Sequence, residues 1–441
     1  MQQEFSGFAS EGRLALDGGT PVRTRPLPWE LPGVHWMGQE ERDLVDRVVA
    51  ARSPFRHYGP DPQGIVDRFE REWCEAYGHR HAVGVSSGTA ALSIALSALQ
   101  VGPGDEVLLP GYLWVSCAAA IVRCGAIPRL VEIDETFCLD PEDLRTKIGP
   151  HSRAVICVHM SGAPGRIDEI AAISREHGLG LIEDCAQAAG GYFKGRSVGS
   201  FGDIATFSFQ LNKNMTSGEG GLLATNDDAL HRRIVALHDL GYPRSNGRLD
   251  TRDEDCQLWG YGARMSDLTG ALALAQFRKL PQITGAMRSA KWRIRDALQG
   301  IDGLGFRTVP DPAGDTGPFL ITQYRNSETC ERMVQALRAE GIVGGPGSLA
   351  CLTMREWGLH WYFNIPSLTE KRSNDRSGFP WTHPANAFAA DYDYRRGALP
   401  RTDALHDRSA LLSIASSLTD EDVDDIVRAF RKVSAVVLGG R

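Results

Sequence analysis

HAVGVSSGTAALSIALSAL, residues 81–99, begins as a short β-rich apolar run and ends as a helical pattern, with SSGT at the junction. The same change of period recurs along the next hundred residues. EVLLPG (106–111) precedes a helix of small residues, PRLVEI (128–133) follows it, RAVICVHM (153–160) leads to IDEIAAISREHG (167–178), and GLIEDC (180–185) comes next. Strands that alternate with helices are the mark of βαβ units, so the fold class is α/β, a mostly parallel central sheet with helices on both faces. Leu92, Leu96 and Leu99 recur at i, i+4 and i+7, a stripe that would lay the first helix on the sheet. Gly102, Pro103 and Gly104 close it.

Outward from this core, the 441 residues divide into an N-terminal arm (1–30), a large α/β domain (31–285) and a smaller C-terminal domain (286–441). The helical stretch MSDLTGALALAQFRKL (265–280) is expected to end at Pro281. The polar stretch EKRSNDRSGFPWTHP (370–384) reads as part of a long surface loop or lid near 366–384 that carries information about the substrate. A last helix starts at Thr419 as N-cap, with Val423, Ile426, Val427, Phe430 and Val433 as its apolar face.

Composition excludes several classes of function. Hydrophobic residues make up 42% and charged residues 23%, and 48 basic against 55 acidic side chains give a net charge of −7 without any block of one sign. Neither a nucleic acid nor a membrane surface is the expected partner. The nine cysteines are scattered and never form CxxC, which argues against a disulfide framework or a zinc site and suggests reduced thiols and no metal. MQQEFSGFASEGR at the start lacks an apolar run of signal-peptide type, and no uncharged stretch approaches the roughly 20 residues that span a bilayer, so a cytoplasmic location is expected.

In a sheet of this kind ligands bind where strands end and helices begin. Ser86-Ser87-Gly88-Thr89 sits at such a junction, where free amides suit a phosphate, although a capped helix that binds nothing explains it as well. Asp184 ends an apolar strand, where a carboxylate needs a cationic partner or serves as a satisfied structural group. Trp114 is either a core aromatic or a platform for a ring. Lys213 follows the strand IATFSFQ and precedes Gly218, Gly220 and Gly221; an amine there can form a Schiff base with a carbonyl, or it is a solvated loop charge. The glycines come after the lysine, against the order of a P-loop. Taken together, a phosphate cradle, an aromatic, a carboxylate and a lysine are the parts that hold pyridoxal 5′-phosphate.

The segments SSGTAAL, GDEVLLPGYLWVS, VEIDETFCLDPEDL, VHMSGAPGRIDEI, EDCAQAAGGYFKGRSVGSFGDIATFSF, KNMTSGEGG and GYGARMSDLTGALALAQ resemble, in order over about residues 30 to 280, the DegT/DnrJ/EryC1/StrS family. The resemblance implies a fold-type I pyridoxal-phosphate transferase with a smaller C-terminal α+β domain, acting as an aminotransferase on keto sugars, ketocyclitols and related antibiotic precursors. LALDGGTPVR and the SFQ before the lysine loop are most similar to the cyclitol and aminohydroxybenzoate-synthase branches. Carried over, it makes Lys213 the Schiff-base lysine and Asp184 the partner of the ring nitrogen. Trp114 would stack on the ring, Gly88, Thr89 and Ser208 would hold the phosphate, and Gln187 would lie near the phenolic oxygen. It also implies a homodimer with a shared active site. Where many members carry an asparagine that reaches the neighbouring subunit's phosphate, this chain has Gly262, so that Arg264 or a water substitutes, or the contact is absent.

Lysine, where the family's dehydratases carry histidine, favours transamination from glutamate or glutamine to a carbonyl acceptor. Arg56, His57, Tyr58, His360 and Tyr362 offer groups that suit a polyhydroxylated ring, or that simply pack. Rival readings are another pyridoxal-phosphate reaction (dehydration, elimination or C–C bond formation) and a non-catalytic binding or regulatory protein on the same fold.

Overall fold

The computed structural model describes residues 13–439. Most of the MQQEFSGFASEGR stretch therefore lies outside the described residues. Seven strands build the main sheet: β1 (His81–Val85), β2 (Glu106–Pro110), β3 (Ile127–Val131), β4 (Ser152–Val158), β5 (Gly180–Asp184), β6 (Ile204–Ser208) and β7 (Gly221–Thr225). Their order is β1-β7-β6-β5-β4-β2-β3, and only β7 runs against its neighbours. The carboxyl ends of six strands thus open on one edge.

Helices α1 (Gln39–Ala50), α2 (Ile65–Tyr77), α3 (Gly88–Ala98), α4 (Val115–Arg123), α5 (Pro141–Lys147), α6 (Ile167–Glu176) and α7 (Asp228–His238) cover both faces. Valines and isoleucines of β1, β4 and β5 pack under α3 and α4, while Phe207 and Leu222 pack with Phe69 and Trp73 on the other side. Each such buried side chain contributes about 1.5–3 kcal/mol relative to exposure. Helix α3 shows more than the expected leucine stripe. Ala91, Leu92, Ser93, Ile94, Ala95, Leu96 and Ala98 are all buried, because α4 and α7 flank it while the sheet lies beneath.

The helix expected to stop at Pro281 continues as α8 (Asp267–Leu298). A proline inside a helix costs about 3 kcal/mol. Burial on both sides of it outweighs that cost: Leu274, Phe277 and Leu280 belong to the large core, and Ile283, Met287, Ile294 and Leu298 to the second. That second core lies among α8, α9 (Ser327–Ala339), α10 (Asp420–Val437) and a four-stranded antiparallel sheet of β8 (Gly305–Phe306), β9 (Phe319–Gln323), β10 (Cys351–Thr353) and β11 (Ser409–Ser413), ordered β8-β9-β11-β10. Thr419 caps α10, with its hydroxyl accepting the Asp422 amide, as its sequence indicates. Residues 13–30 join this second unit: Glu340 accepts the Ala15 and Val22 amides at 2.8 and 3.0 Å, and Arg23 pairs with Asp422 and Asp425.

The polar segment near 366–384 is anchored away from the carboxyl ends of the strands. Phe379 of this segment packs against Gly125, and just after it Asn386 donates to the Gly125 carbonyl at 3.0 Å, Tyr392 to Glu106 and Tyr394 to the Pro128 carbonyl. Those contacts lie at the amino ends of β2 and β3, so the segment is neither a lid nor a wall over Lys213. Its polar composition reflects an exposed outer face, while its few aromatics make the attachment.

Strand β5 places two acids on opposite faces, as a period of two requires. Glu183 is fully buried; it accepts the Phe201, Gly202 and Gly199 amides at 2.7, 2.7 and 2.8 Å and pairs with His159 at 2.9 Å. Burial alone would push this carboxyl up, but His159 and the amides hold it below the usual range. Glu183→Ala strands three amides and an imidazole. Chemical denaturation should show a loss of about 3–5 kcal/mol.

Candidate active site

Lys213 stands on the loop that joins β6 to β7. The Phe209 amide donates to the Gly220 carbonyl, the Ser217 amide to the Phe209 carbonyl, and the Lys213 amide to the Gln210 carbonyl, all at 2.9 Å. This ladder fixes the loop with Lys213 at its turn. Asn214, next along, donates to the Ala189 carbonyl at 3.0 Å and ties the loop to the segment after β5. Burial lowers the Lys213 amine from its ordinary value, and the nearby Asp184 charge opposes that only in part.

Asp184 is 4% exposed. Its Oδ1 accepts the Ala186 amide at 3.0 Å and its Oδ2 the Cys117 thiol at 3.1 Å. Both donors, a thiol and a backbone amide, are neutral.

At the end of β1 the chain turns into α3 through Ser87, whose Oγ accepts the Ala90 amide at 3.1 Å. The Gly88 and Thr89 amides have no acceptor within the helix, and the helix dipole adds positive potential there. A Cβ on Gly88 would lie 2.7 Å from the Ser208 Cβ, and one on Gly221 2.8 Å from the Gly88 nitrogen. Glycine at both places lets the ends of β6 and β7 close on the helix start. The Ser208 hydroxyl stands beside those amides, and the Thr89 hydroxyl is 2.8 Å from that of Ser116. This donor set fits a phosphate.

Trp114 is the N-cap residue of α4 and 40% exposed, so it offers a ring face rather than core packing. His360 lies against it, with ring centroids 4.7 Å apart. A strand-like bridge between Tyr112 and Trp361 places it there, with the Leu113 amide donating to the His360 carbonyl at 2.9 Å. His360 Nδ1 lies 2.6 Å from the Trp357 carbonyl, so Nδ1 carries the proton and Nε2 is free to accept. Burial brings this imidazole down to about 4, the Trp357 hydrogen bond opposing and Lys213 adding to the fall.

Gln187 Oε1 accepts the Ser161 amide at 2.7 Å. Ser161 has φ +57°, a left-handed conformation that costs a serine free energy. Residues beside the four-stranded sheet hold this corner. Arg307 donates to the Met160 and Ala163 carbonyls at 2.7 Å each, and Thr316 takes the Gly162 carbonyl at 2.9 Å.

The structure thus brings Gly88, Thr89, Trp114, Asp184, Gln187, Ser208, Lys213 and His360 to one edge of the sheet. Tyr362 is elsewhere in function: it is fully buried, donates to Asp403 at 2.9 Å and accepts the Leu399 amide at 3.1 Å. Arg56 is paired with Glu70 and Asp67 at 2.8 Å. His57 and exposed Tyr58 pack on Phe55, in a cluster around Asp239, which pairs with Arg244 and with Arg264, itself bridged to Val85 at the end of β1. Gly262 has φ +61° with open space where a side chain would stand, and its amide donates to the Asp239 carbonyl.

Ser116, Cys117 and Ser161 went unread in the sequence. Ser116 and Cys117 sit in a run of small residues that looks like packing, and only the first turn of α4, starting at Trp114, points them inward. The Ser161 conformation leaves no mark in composition.

Among known proteins, the model of the DegT/DnrJ/EryC1/StrS aminotransferase family matches residues 39–346. An L-glutamine:2-deoxy-scyllo-inosose aminotransferase of Streptoalloteichus tenebrarius is 40% identical over 298 residues, 66% of this chain and 69% of that one. Another of that description from Streptomyces kanamyceticus is 33% identical over 96% of both chains. The crystal structure of an aminotransferase from Psychrobacter cryohalolentis superposes with a TM-score of 0.76 at 26% identity, over 94% of this chain and all of that one.

The desolvated Lys213 amine should react at lower pH than a surface lysine. In cofactor-free protein, reductive methylation followed by mass spectrometry should give Lys213 a midpoint below 10.5, and Lys194, raised by its pairing with Asp168, one above it.

Proposed function

The chain belongs to the DegT/DnrJ/EryC1/StrS aminotransferase family and is a pyridoxal-phosphate-dependent aminotransferase; from that premise we propose that it moves the amino group of glutamine to a ketocyclitol or keto sugar, with Lys213 and Asp184 as its catalytic pair. The observation that carries the assignment of the site is the convergence of a desolvated amine, a buried carboxyl group held by neutral donors and free helix-start amides on one sheet edge. Glutamine and a cyclitol acceptor are supported by the names of the two relatives, one of which aligns over nearly the whole chain.

Pyridoxal phosphate supplies an aldehyde that takes up the amino group and a ring that withdraws electrons from the carbon losing its proton. The Gly88 and Thr89 amides and the Ser208 hydroxyl would bind the phosphate oxygens. Asp184 would face the ring nitrogen and keep it protonated through charge. Trp114 would cover one ring face and exclude water, and Gln187 would stand near the phenolic oxygen. Lys213 Nζ, whose affinity for a proton is lowered by desolvation, would accept the proton from the α-carbon of the amino donor and deliver it again within the pocket. His360 stays neutral across physiological pH, and its Nε2 is suited to accept a hydrogen bond from an acceptor hydroxyl.

A homodimer accords with the exposed Trp259, at 95%, and Tyr261 beside Gly262, large apolar groups on the flank where the Asp239 cluster lies. No described helix is long and apolar enough to cross a membrane. A cytoplasmic location accords with nine free cysteines among the described residues.

Purified protein loaded with pyridoxal phosphate should be yellow, and borohydride should leave the cofactor on Lys213, as located by peptide mass spectrometry. A separate, unreduced sample incubated with glutamine and 2-deoxy-scyllo-inosose should release the oxo acid. Lys213→Ala should fold normally by circular dichroism and lose at least about a thousandfold in turnover. An unchanged rate would remove Lys213 from the mechanism.

A further inference from the structure

Asp184 is gripped by a residue with no role in the scheme above. Cys117 is the third residue of α4 and fully buried, and its Sγ lies 3.1 Å from Asp184 Oδ2. The other carboxylate oxygen is held from a different direction, by the Ala186 amide at 3.0 Å. Two donors on two oxygens, one from a helix and one from the turn after β5, fix the plane of the carboxylate.

We propose that Cys117 is a positioning residue for Asp184, its thiol donating to Oδ2 so that the carboxylate is already turned toward a cationic ring nitrogen before the cofactor arrives. This rests on the reading of Asp184 given above. The chemistry of the donor matters. An arginine or lysine there would neutralise the charge that Asp184 is needed to present, and a valine would leave Oδ2 desolvated without a donor. A thiol holds the oxygen weakly and leaves the charge in place. Burial, reinforced by the Asp184 charge, keeps the sulfur protonated and therefore a donor.

The same turn of α4 serves two other parts of the site. Trp114 offers its ring face, and Ser116 is hydrogen-bonded to Thr89. One short helix start therefore sets the ring platform, the phosphate side and the carboxylate together. A shift of α4 would move all three.

The test compares wild type, Cys117→Ala, Cys117→Ser and Asp184→Ala, each checked for folding by circular dichroism. In cofactor-free protein, the infrared S–H band isolated by subtracting the Cys117→Ala spectrum should lie at lower frequency in wild type than the corresponding band in an Asp184→Ala background. Pyridoxal phosphate affinity, followed by fluorescence quenching, should weaken about tenfold in Cys117→Ala, the loss of one hydrogen bond to a charged group. Cys117→Ser should recover most of it, because a hydroxyl donates to the same oxygen. In steady-state assays Cys117→Ala should lower kcat more than it raises the KM for glutamine. An unshifted S–H band, or wild-type cofactor affinity in Cys117→Ala beside a damaged Asp184→Ala, would overturn the proposal and leave Cys117 as core packing. Wild-type affinity in Asp184→Ala would instead overturn the reading of Asp184 itself, and the proposal with it.

Discussion

An amine and a carboxylate share one desolvated pocket without being bonded to each other. Lys213 feels Asp184 as a charge that resists its deprotonation, yet no ion pair joins them among the described residues. Had they closed into a salt bridge, mutual attraction would have opposed the lowering of the lysine by burial and covered the carboxylate. The structure keeps them apart by spending Asp184 on neutral donors and by mounting Lys213 on a loop with its own hydrogen-bond ladder. Both groups therefore remain available to a ligand that comes between them.

The sheet makes this arrangement possible. Six strands end at one edge, so residues distant in the chain, from Gly88 to Lys213, meet without long loops. The lysine loop returns the chain to the start of α3, where Gly221, the first residue of the reversed strand β7, sits against Gly88. Glu183 and Asp184 divide the labour of adjacent positions. One is consumed in holding the turn at 199–202, and the other is left for chemistry.

Much of this was legible in the sequence. The change of period at residues 81–99 announces the βαβ repeat, and the SSGT junction, the acid after GLIE and the lysine before the glycines each fall on a strand end. What the sequence hid follows from tertiary packing. Pro281 reads as a stop, but two cores pull on the helix from either side and carry it through. The polar stretch 370–384 reads as a cover for the site, yet its Phe379 and the tyrosines that follow it, Tyr392 and Tyr394, attach this part of the chain to the opposite end of the sheet. Tyr362 and His360 are two residues apart and look alike as candidates. A bridge to Tyr112 sends one toward Trp114 and buries the other under Gly111. Cys117 looks like filler among alanines until the helix start orients it.

The grip of Arg307 and Thr316 on residues 160–163 makes the two halves of the molecule heritable as a pair. A strained serine persists only where its surroundings over-determine it, and here Gln187 and Tyr112 hold Ser161 itself while Arg307 and Thr316, from beyond α8, hold the residues on either side of it. Exchanging the C-terminal half for that of a relative would bring a different hold on the corner that carries Gln187. Recombination between such proteins is therefore constrained at this seam: a crossover that separates 160–163 from 307–316 must find a partner already matched there, whereas one that moves both leaves the pocket intact.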